Sequence, residues 1–387
     1  MTTELIIRHP KVERTSGGSL VTVRLDSPDG PFNAFFDVRG GHLEVNASAF
    51  ATMCLPVAMA KGWSVRSESP VSAKLMGSIP TIQDIFLHFL PGTQRIELDA
   101  PSHKDPMAPN REAASFFSGG VDAYYTYLKH RERIRRLIFG MGFDIKLSQT
   151  KVIDIVLEQM RRAAQDLGAG LLEVKTNIRD FSDRYVHWRF FIGAALGGTA
   201  SLLSNLLDAV YIGSSHNYGD MFCWGTHPIL DPLWTTEAVE VINDGCEAIR
   251  LDKIKLVAQS DEALKSLRVC FNNRDDRYNC SRCEKCLRTM VGLHIHGALE
   301  RCKTLRNTLD LKRISNLRIG DNDNVKRINL QTYQYIRRER RDPPLERALL
   351  LSLRKTSLVK KVKKKIRSYL QPVKKSSVLG LMPGKDV

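Results

Sequence analysis

Apolar and polar residues alternate over residues 20–25 (Leu-Val-Thr-Val-Arg-Leu), and residues 32–38 form an aromatic-rich run; both predict strands. Pro28-Asp29-Gly30-Pro31 between them predicts a turn, since proline presets φ and glycine tolerates a left-handed backbone. Residues 47–59 predict a helix that stops at Gly62, followed by a strand near 64–67 and a helix near 82–89. Residues 100–109 hold three prolines and predict a linker. From about Arg111 the pattern changes. Apolar runs at 114–117, 137–143, 171–175 and 209–213 alternate with helical stretches starting at 123 and spanning 151–166 and 188–207. Strands alternating with helices predict a parallel sheet with crossover helices, hence an α/β fold. Past Leu305 the periodicity weakens. The expected organisation is a small α+β domain over 1–105, an α/β domain over 111–305 and a basic, helical or partly disordered tail over 306–387.

Composition refines this picture. With 387 residues, 43% of them hydrophobic, the chain can bury a large core. Its longest uncharged run, 190–207, contains glycines and hydroxyls and reads as a buried helix rather than a membrane span. The N-terminus lacks a basic start followed by an apolar core, so no leader is expected. Eight cysteines are too few for a disulfide scaffold, and four lie at metal spacing, which fits a reducing cytoplasm. The net charge of +16 is concentrated: residues 331–387 hold 16 Lys or Arg against 4 Asp or Glu. The run Lys360, Lys361, Lys363, Lys364, Lys365 and Arg367 suits a basic amphipathic helix for an anionic membrane or nucleic acid, or equally a solvated tail.

Three stretches carry chemistry. Ser118-Gly119-Gly120-Val121-Asp122 follows the first strand of the parallel series, at the sheet edge where such folds bind ligands. Glycines let backbone N–H groups approach an anion, and a helix start adds positive partial charge; an ordinary strand-to-helix turn is the plainer reading. Cys270, Cys280, Cys283 and Cys286 have the spacing Cys-x9-Cys-x2-Cys-x2-Cys. Four thiolates suit a closed, structural Zn²⁺ site, with an iron–sulfur cluster as the competing reading. Arg282, Lys285 and Arg288 would offset its negative charge, while His294 and His296 read as helix residues. Third, Ser214 to Cys223 follows another strand end. Its polar and glycine-rich composition suits a substrate loop or a plain surface loop, with His216 and Asp220 as candidates for substrate contact or proton transfer. The chain has no Gly-x-x-x-x-Gly-Lys-Ser/Thr, no Gly-x-Gly-x-x-Gly after a strand, no Gly-x-Ser-x-Gly and no His-Glu-x-x-His. Common kinases, dehydrogenases, esterases and zincins are therefore not expected.

The 118–122 string resembles the Ser-Gly-Gly-x-Asp-Ser pyrophosphate loop of the N-type ATP pyrophosphatases, the PP-loop enzymes, and the cysteine cluster is similar to that of their 7-cyano-7-deazaguanine synthase-like branch. The resemblance covers about residues 113–293. It implies a Rossmann-like, adenine nucleotide alpha hydrolase-like sheet with helices on both faces. It also implies an ATP-dependent ligase that adenylates a carboxylate or amide-like oxygen of a small molecule, for attack by ammonia or another nucleophile. By the same resemblance, Ser118, Gly119, Gly120, Val121 and Asp122 would hold pyrophosphate, with Asp122 near Mg²⁺, and backbone at Gly140 and Met141 would receive adenine. The segment from Leu251 to Val257 resembles the family's Leu-x-Lys-x-x-Ile-Val, which puts Lys253 near the phosphates. The implied cofactors are ATP, Mg²⁺ and Zn²⁺; the implied partners are ATP and an unidentified acceptor, and a homo-oligomer is expected. Position 123 is Ala where the family has Ser, which removes a phosphate contact. Two alternatives stay open: a tRNA-thiolating PP-loop enzyme using the basic tail, and a non-catalytic nucleotide-binding protein.

Overall fold

The computed structural model describes residues 3–109, 111–270, 277–317, 323–339 and 342–355. Two compact units divide the chain, Met1–Leu309 and Asp310–Val387.

The first unit opens with β1 (Glu4–Ile7), β2 (Lys11–Thr15), β3 (Gly18–Ser27) and β4 (Gly30–Arg39), then α1 (Ser48–Lys61). Alternation makes the hairpin of β3 and β4: Val21, Val23 and Leu25 face the core, as do Ala34, Phe36 and Val38 of the partner strand. Helix α1 is buried from Ser48 to Met59 and ends at Gly62, whose φ of 67° is the left-handed cap that the sequence anticipated. After β5 (Ser64–Ser67) and β6 (Val71–Ser72) comes α2 (Ala73–Phe89), nine residues longer at its start than predicted because it runs through Pro80. Two short strands follow, β7 (Leu98–Asp99) and β8 (Ser102–His103).

The α/β series is β9 (Glu112–Phe116), α3 (Val121–Lys129), β10 (Ile134–Met141), α4 (Thr150–Leu167), β11 (Gly170–Thr176), α5 (Ile178–Ser182), α6 (Trp188–Leu202), β12 (Leu207–Gly213) and β13 (Glu240–Asp244). It closes with α7 (Arg250–Val257), α8 (Asp261–Ser266) and α9 (Glu284–Ile295). The uncharged run became the buried helix α6, whose small residues let it lie against α1: a Cβ on Gly198 would sit 2.6 Å from the Ala49 carbonyl oxygen. No helix among the described residues is long and apolar enough to cross a membrane.

All described strands except β6 and β8 join one eleven-stranded sheet, ordered β13-β12-β9-β10-β11-β4-β3-β1-β5-β7 with β2 paired to β3. The five strands β13, β12, β9, β10 and β11 are parallel. The chain moves outward from β9 in one direction and then returns to build on its other side, so the order reverses beside β9 and β12. The expected boundary at 105–111 does not separate two sheets. β4 pairs antiparallel with β11, Arg39 opposite Glu173, and carries the N-terminal strands into the same sheet. The prolines mark a crossing between elements; the β4–β11 pairing is non-local and leaves no trace in local periodicity.

The second unit contains α10 (Leu311–Ser315), α11 (Asp323–Glu339) and a helix over 343–355. Ile314, Ile328, Tyr333, Ile336, Leu345 and Leu349 are among its buried residues. The lysine-rich run 360–367 lies outside the described residues.

Candidate active site and thiolate cluster

Strand β9 delivers the chain to the reversal point of the parallel sheet, where side chains from both flanking crossovers converge. Phe117 is buried edge-on against Tyr124, centroids 4.8 Å apart, and its N–H donates to the Ile138 carbonyl at 2.8 Å. These contacts pin the loop at its base. Gly119 has φ +71°, a left-handed backbone that favours glycine, and a Cβ there would push on the Met160 methyl 2.8 Å away. Gly120 is the extended residue before α3, with no side-chain cap, and Val121 begins the helix. Ser118 therefore stands at the turn and Asp122 in the first helical turn, where a carboxylate complements the helix dipole.

Asp122 is the hub. Arg250 grips it with both terminal nitrogens, Nη1 to Oδ1 at 2.9 Å and Nη2 to Oδ2 at 3.0 Å. Lys253 Nζ reaches Oδ1 at 3.4 Å, and the Ser215 hydroxyl donates to Oδ2 at 3.1 Å. Burial pushes this carboxyl's pKa up, but the Arg250 and Lys253 charges and the Arg250 hydrogen bond outweigh it and hold the group at about 2. Lys253 is 2% exposed; its ammonium donates to the Ser214 carbonyl at 2.5 Å and lies 5.6 Å from the centre of the Tyr125 ring. Burial lowers its pKa against the opposing pull of Asp122. Gly213 at the end of β12 is needed for the close approach of α3, since a Cβ would fall 2.9 Å from the Asp122 carbonyl oxygen.

The other expected residues lie along the same edge. Gly140 and Met141 end β10, the strand beside β9. A Cβ on Gly140 would run into the Phe143 ring, and Gly142 is left-handed at φ +94°. From the loop after β12, Asp122 receives Ser215. Asp220 is 7% exposed and accepts from Asn217 Nδ2 at 2.6 Å, within a short 3₁₀ turn. His216 packs against Phe222 and Trp224, centroids 4.5 and 6.2 Å away. Both residues are thus engaged inside their own loop, in contacts that hold its shape.

Sequence reasoning missed Arg250 and Arg268. Arg250 opens α7 three residues before Lys253, a spacing that puts both on one helix face; that spacing was the available signal. Arg268 is buried, and its N–H donates to the Gly119 carbonyl at 2.7 Å. Lys285 and Arg288, expected to serve only the thiolates, also act on Asp122: the Lys285 charge lowers that carboxyl's pKa, and Asp122 in turn supports the charge of Arg288. Arg282 is exposed.

Comparison of the chain with family models, curated proteins and solved structures gave no match. The reading of the site therefore rests on its geometry and on the sequence motifs.

The sulfurs of Cys270, Cys280, Cys283 and Cys286 all lie within 4.8 Å of one another, and two of the pairs are 3.9 and 3.8 Å apart. Tetrahedral Zn–S bonds of ~2.3 Å imply S···S separations of ~3.8 Å, so the cluster has the size of a Zn²⁺ site. Backbone N–H groups of Arg282 and Cys283 donate to Cys280 Sγ at 3.4 and 3.2 Å, and Ser281 takes the left-handed φ of 51° that closes this turn. Hydrogen bonding from Cys286 holds the Cys283 thiol below its ordinary value. His294 lies in the last turn of α9 and His296 caps it, outside the four-sulfur group, as expected. Of the remaining cysteines, Cys54, Cys246 and Cys302 are buried and Cys223 is exposed.

A separate cavity of about 400 Å³ is lined by Asn46, His103, Asp105, Met107, Ser204 and Asn205, among others. Asn205 lies just before β12, so this cavity is at the opposite edge of the sheet from Asp122.

Proposed function

We propose that the chain is an ATP-dependent enzyme that cleaves ATP between the α and β phosphates and transfers AMP to an oxygen of a small-molecule acceptor. The observation that carries the reading is the 118–122 turn. It lies at the C-terminal end of a parallel strand, at the point where strand order reverses, and leads into a helix start beside Arg250 and Lys253. A Rossmann-like nucleotide fold is the architecture this reading assigns to the five parallel strands.

In this reading the acceptor oxygen attacks the α-phosphorus, and the bond to the bridging oxygen breaks. Pyrophosphate leaves with that electron pair. The backbone at Ser118, Gly119 and Gly120 holds the departing group, and Lys253 and Arg250 offset its growing charge. Gly140 and Met141, one strand over, form the adenine side. Ammonia or another nucleophile then attacks the activated carbon, AMP departs, and the surplus proton passes to solvent. Asp122 would supply one carboxylate for Mg²⁺, which would neutralise phosphate charge there. Because both Asp122 oxygens already accept hydrogen bonds, a metal there would share or displace the Arg250 contact. Zn²⁺ on the four cysteines would leave no open position and would serve the fold. His216 and Asp220 act through the shape of the loop that covers the acceptor.

The test is product analysis. Purified protein with ATP, Mg²⁺, ammonia and a panel of carboxylates should form AMP and pyrophosphate in equal amounts; ADP as the sole product overturns the reading. Ala123 favours a second reading, a nucleotide-binding protein without turnover, because a serine there would add a hydroxyl at a buried position of the first helical turn. Turnover in Ala123→Ser but not in the parent chain would select that second reading.

A further inference from the structure

Three cations beside the 118–122 loop are carried by the thiolate element. Arg268 is two residues before Cys270 and touches the loop directly: besides its bond to Gly119, its Cβ would lie 3.3 Å from a Cβ built on that glycine. Lys285 and Arg288 stand three residues apart on α9, so they share a face, and Cys283 and Cys286 anchor the same helix at its start. Arg288 is mostly buried and pairs with Glu284 at 3.4 Å. Lys285 keeps solvent-accessible surface although burial lowers its pKa. Helix α9 packs on α7, which carries Arg250 and Lys253; Gly292 is placed where α9 meets Ile254 of α7.

The charges form a group. Arg250, Lys253, Arg268, Lys285 and Arg288 stand around Asp122, Asp144 and Glu284, and the electrostatic influences reach across from α3 and α7 to α9: Arg250 acts on both Lys285 and Arg288, and Asp122 on both as well.

We infer that the thiolate element forms the second wall of a polyanion site, bringing Arg268, Lys285 and Arg288 to face the 118–122 loop, so that metal on the four cysteines and a polyphosphate at the loop stabilise each other. The inference rests on the reading of that loop as a phosphate site. A metal fixes the start of α9 and the segment leading to Cys270, and so fixes where the three cations stand. Linkage is reciprocal: the factor by which metal tightens polyphosphate binding is the factor by which polyphosphate tightens metal binding.

The probe is inorganic pyrophosphate, titrated calorimetrically into the zinc-loaded full chain in magnesium-free buffer. A double variant, Lys285→Met with Arg288→Met, should keep one zinc per chain and lose pyrophosphate affinity by ~100-fold, about tenfold for each charge-assisted contact. A charge-matched control, Lys11→Met with Lys151→Met at exposed positions, should bind as the parent does. In a second measurement, pyrophosphate should slow zinc loss to an excess of a strong chelator in the parent chain but not in the double variant, which also reports any direct chelation by the probe. Unchanged pyrophosphate affinity in the double variant overturns the inference while leaving the loop reading intact. Loss of zinc in the double variant overturns it too, since the two residues would then belong to the metal centre alone. No pyrophosphate binding by the parent chain overturns the loop reading itself. Binding without AMP formation leaves this inference standing and removes the adenylation step.

Discussion

Lys253→Met is the sharpest perturbation of the site, because its two consequences separate. The side chain is 2% exposed, and methionine fills nearly the same volume without charge. Removing a buried ion-pair partner normally costs ~3–5 kcal/mol by stranding the opposite charge. Here Asp122 is not stranded, since Arg250 still binds both of its oxygens and Ser215 still donates. What is lost is the donor to the Ser214 carbonyl, a cost of ~1–3 kcal/mol, partly offset by no longer burying an ammonium. For a unit of this size that lowers Tm by no more than ~2–5 °C. The anion site suffers differently. A charge-assisted contact to phosphate is worth ~1.5–3 kcal/mol, so pyrophosphate affinity should fall about 10- to 150-fold. Thermal melts and calorimetric titration with pyrophosphate measure the two effects on one preparation. A variant that melts within that range and binds pyrophosphate as tightly as the parent refutes the placement of Lys253 at the phosphates.

Asp122 has a folded-state pKa of about 2 against an ordinary value of 3.8, so its ionised form stabilises the fold above pH ~4, and that contribution disappears as pH falls through about 2. Urea denaturation should show Asp122→Asn losing ~2–3 kcal/mol at pH 7 and little at pH 2. Asp231 has the opposite sign: it is fully buried, and burial raises it to about 7 despite hydrogen bonds from Asn243 and the His227 N–H. The unfolded chain gives up this proton near pH 4 and the folded chain only near 7, so the group subtracts stability as pH rises across that window. Asp231→Asn should flatten that slope, with urea midpoints comparing more favourably with the parent at pH 8 than at pH 5. Cys283→Ser should remove the bound metal, read by elemental analysis, and lower the melting temperature of the first unit by more than any substitution in the 118–122 loop.

Four of the five parallel strands were legible because each holds a short apolar run bounded by turn residues; β13, Glu-Val-Ile-Asn-Asp, was missed because it is a half-exposed edge strand with polar residues. The N-terminal hairpin was legible for a different reason, the alternation that comes with one buried face. Pairing was not legible. Nothing local in Asp37-Val38-Arg39 says that it will lie against Glu173-Val174-Lys175, and the prolines of 100–109 suggested a boundary where the sheet is continuous. Helix α11 was missed because Asn, Gln and Arg dominate its composition, although Ile328 and Ile336 are buried at two-turn spacing.

The candidate site divides along the same line. Its glycines and cysteines could be read from sequence because backbone geometry and metal spacing demand those residue types within a few positions of one another. Gly119 needs its left-handed φ, and the Cys280–Cys283 turn needs two intervening residues. The arginines could not. A guanidinium reaches its carboxylate from any element that happens to pass, and Arg250 lies 128 residues from Asp122 in sequence. A basic residue in an otherwise basic chain carries no signal until the fold sets it beside a particular acid. Asp122 provides that reference, since the cations of α7 and α9 act on its one carboxylate. The motif marks where an anion would sit, and the non-local cations determine how much negative charge that position can accept.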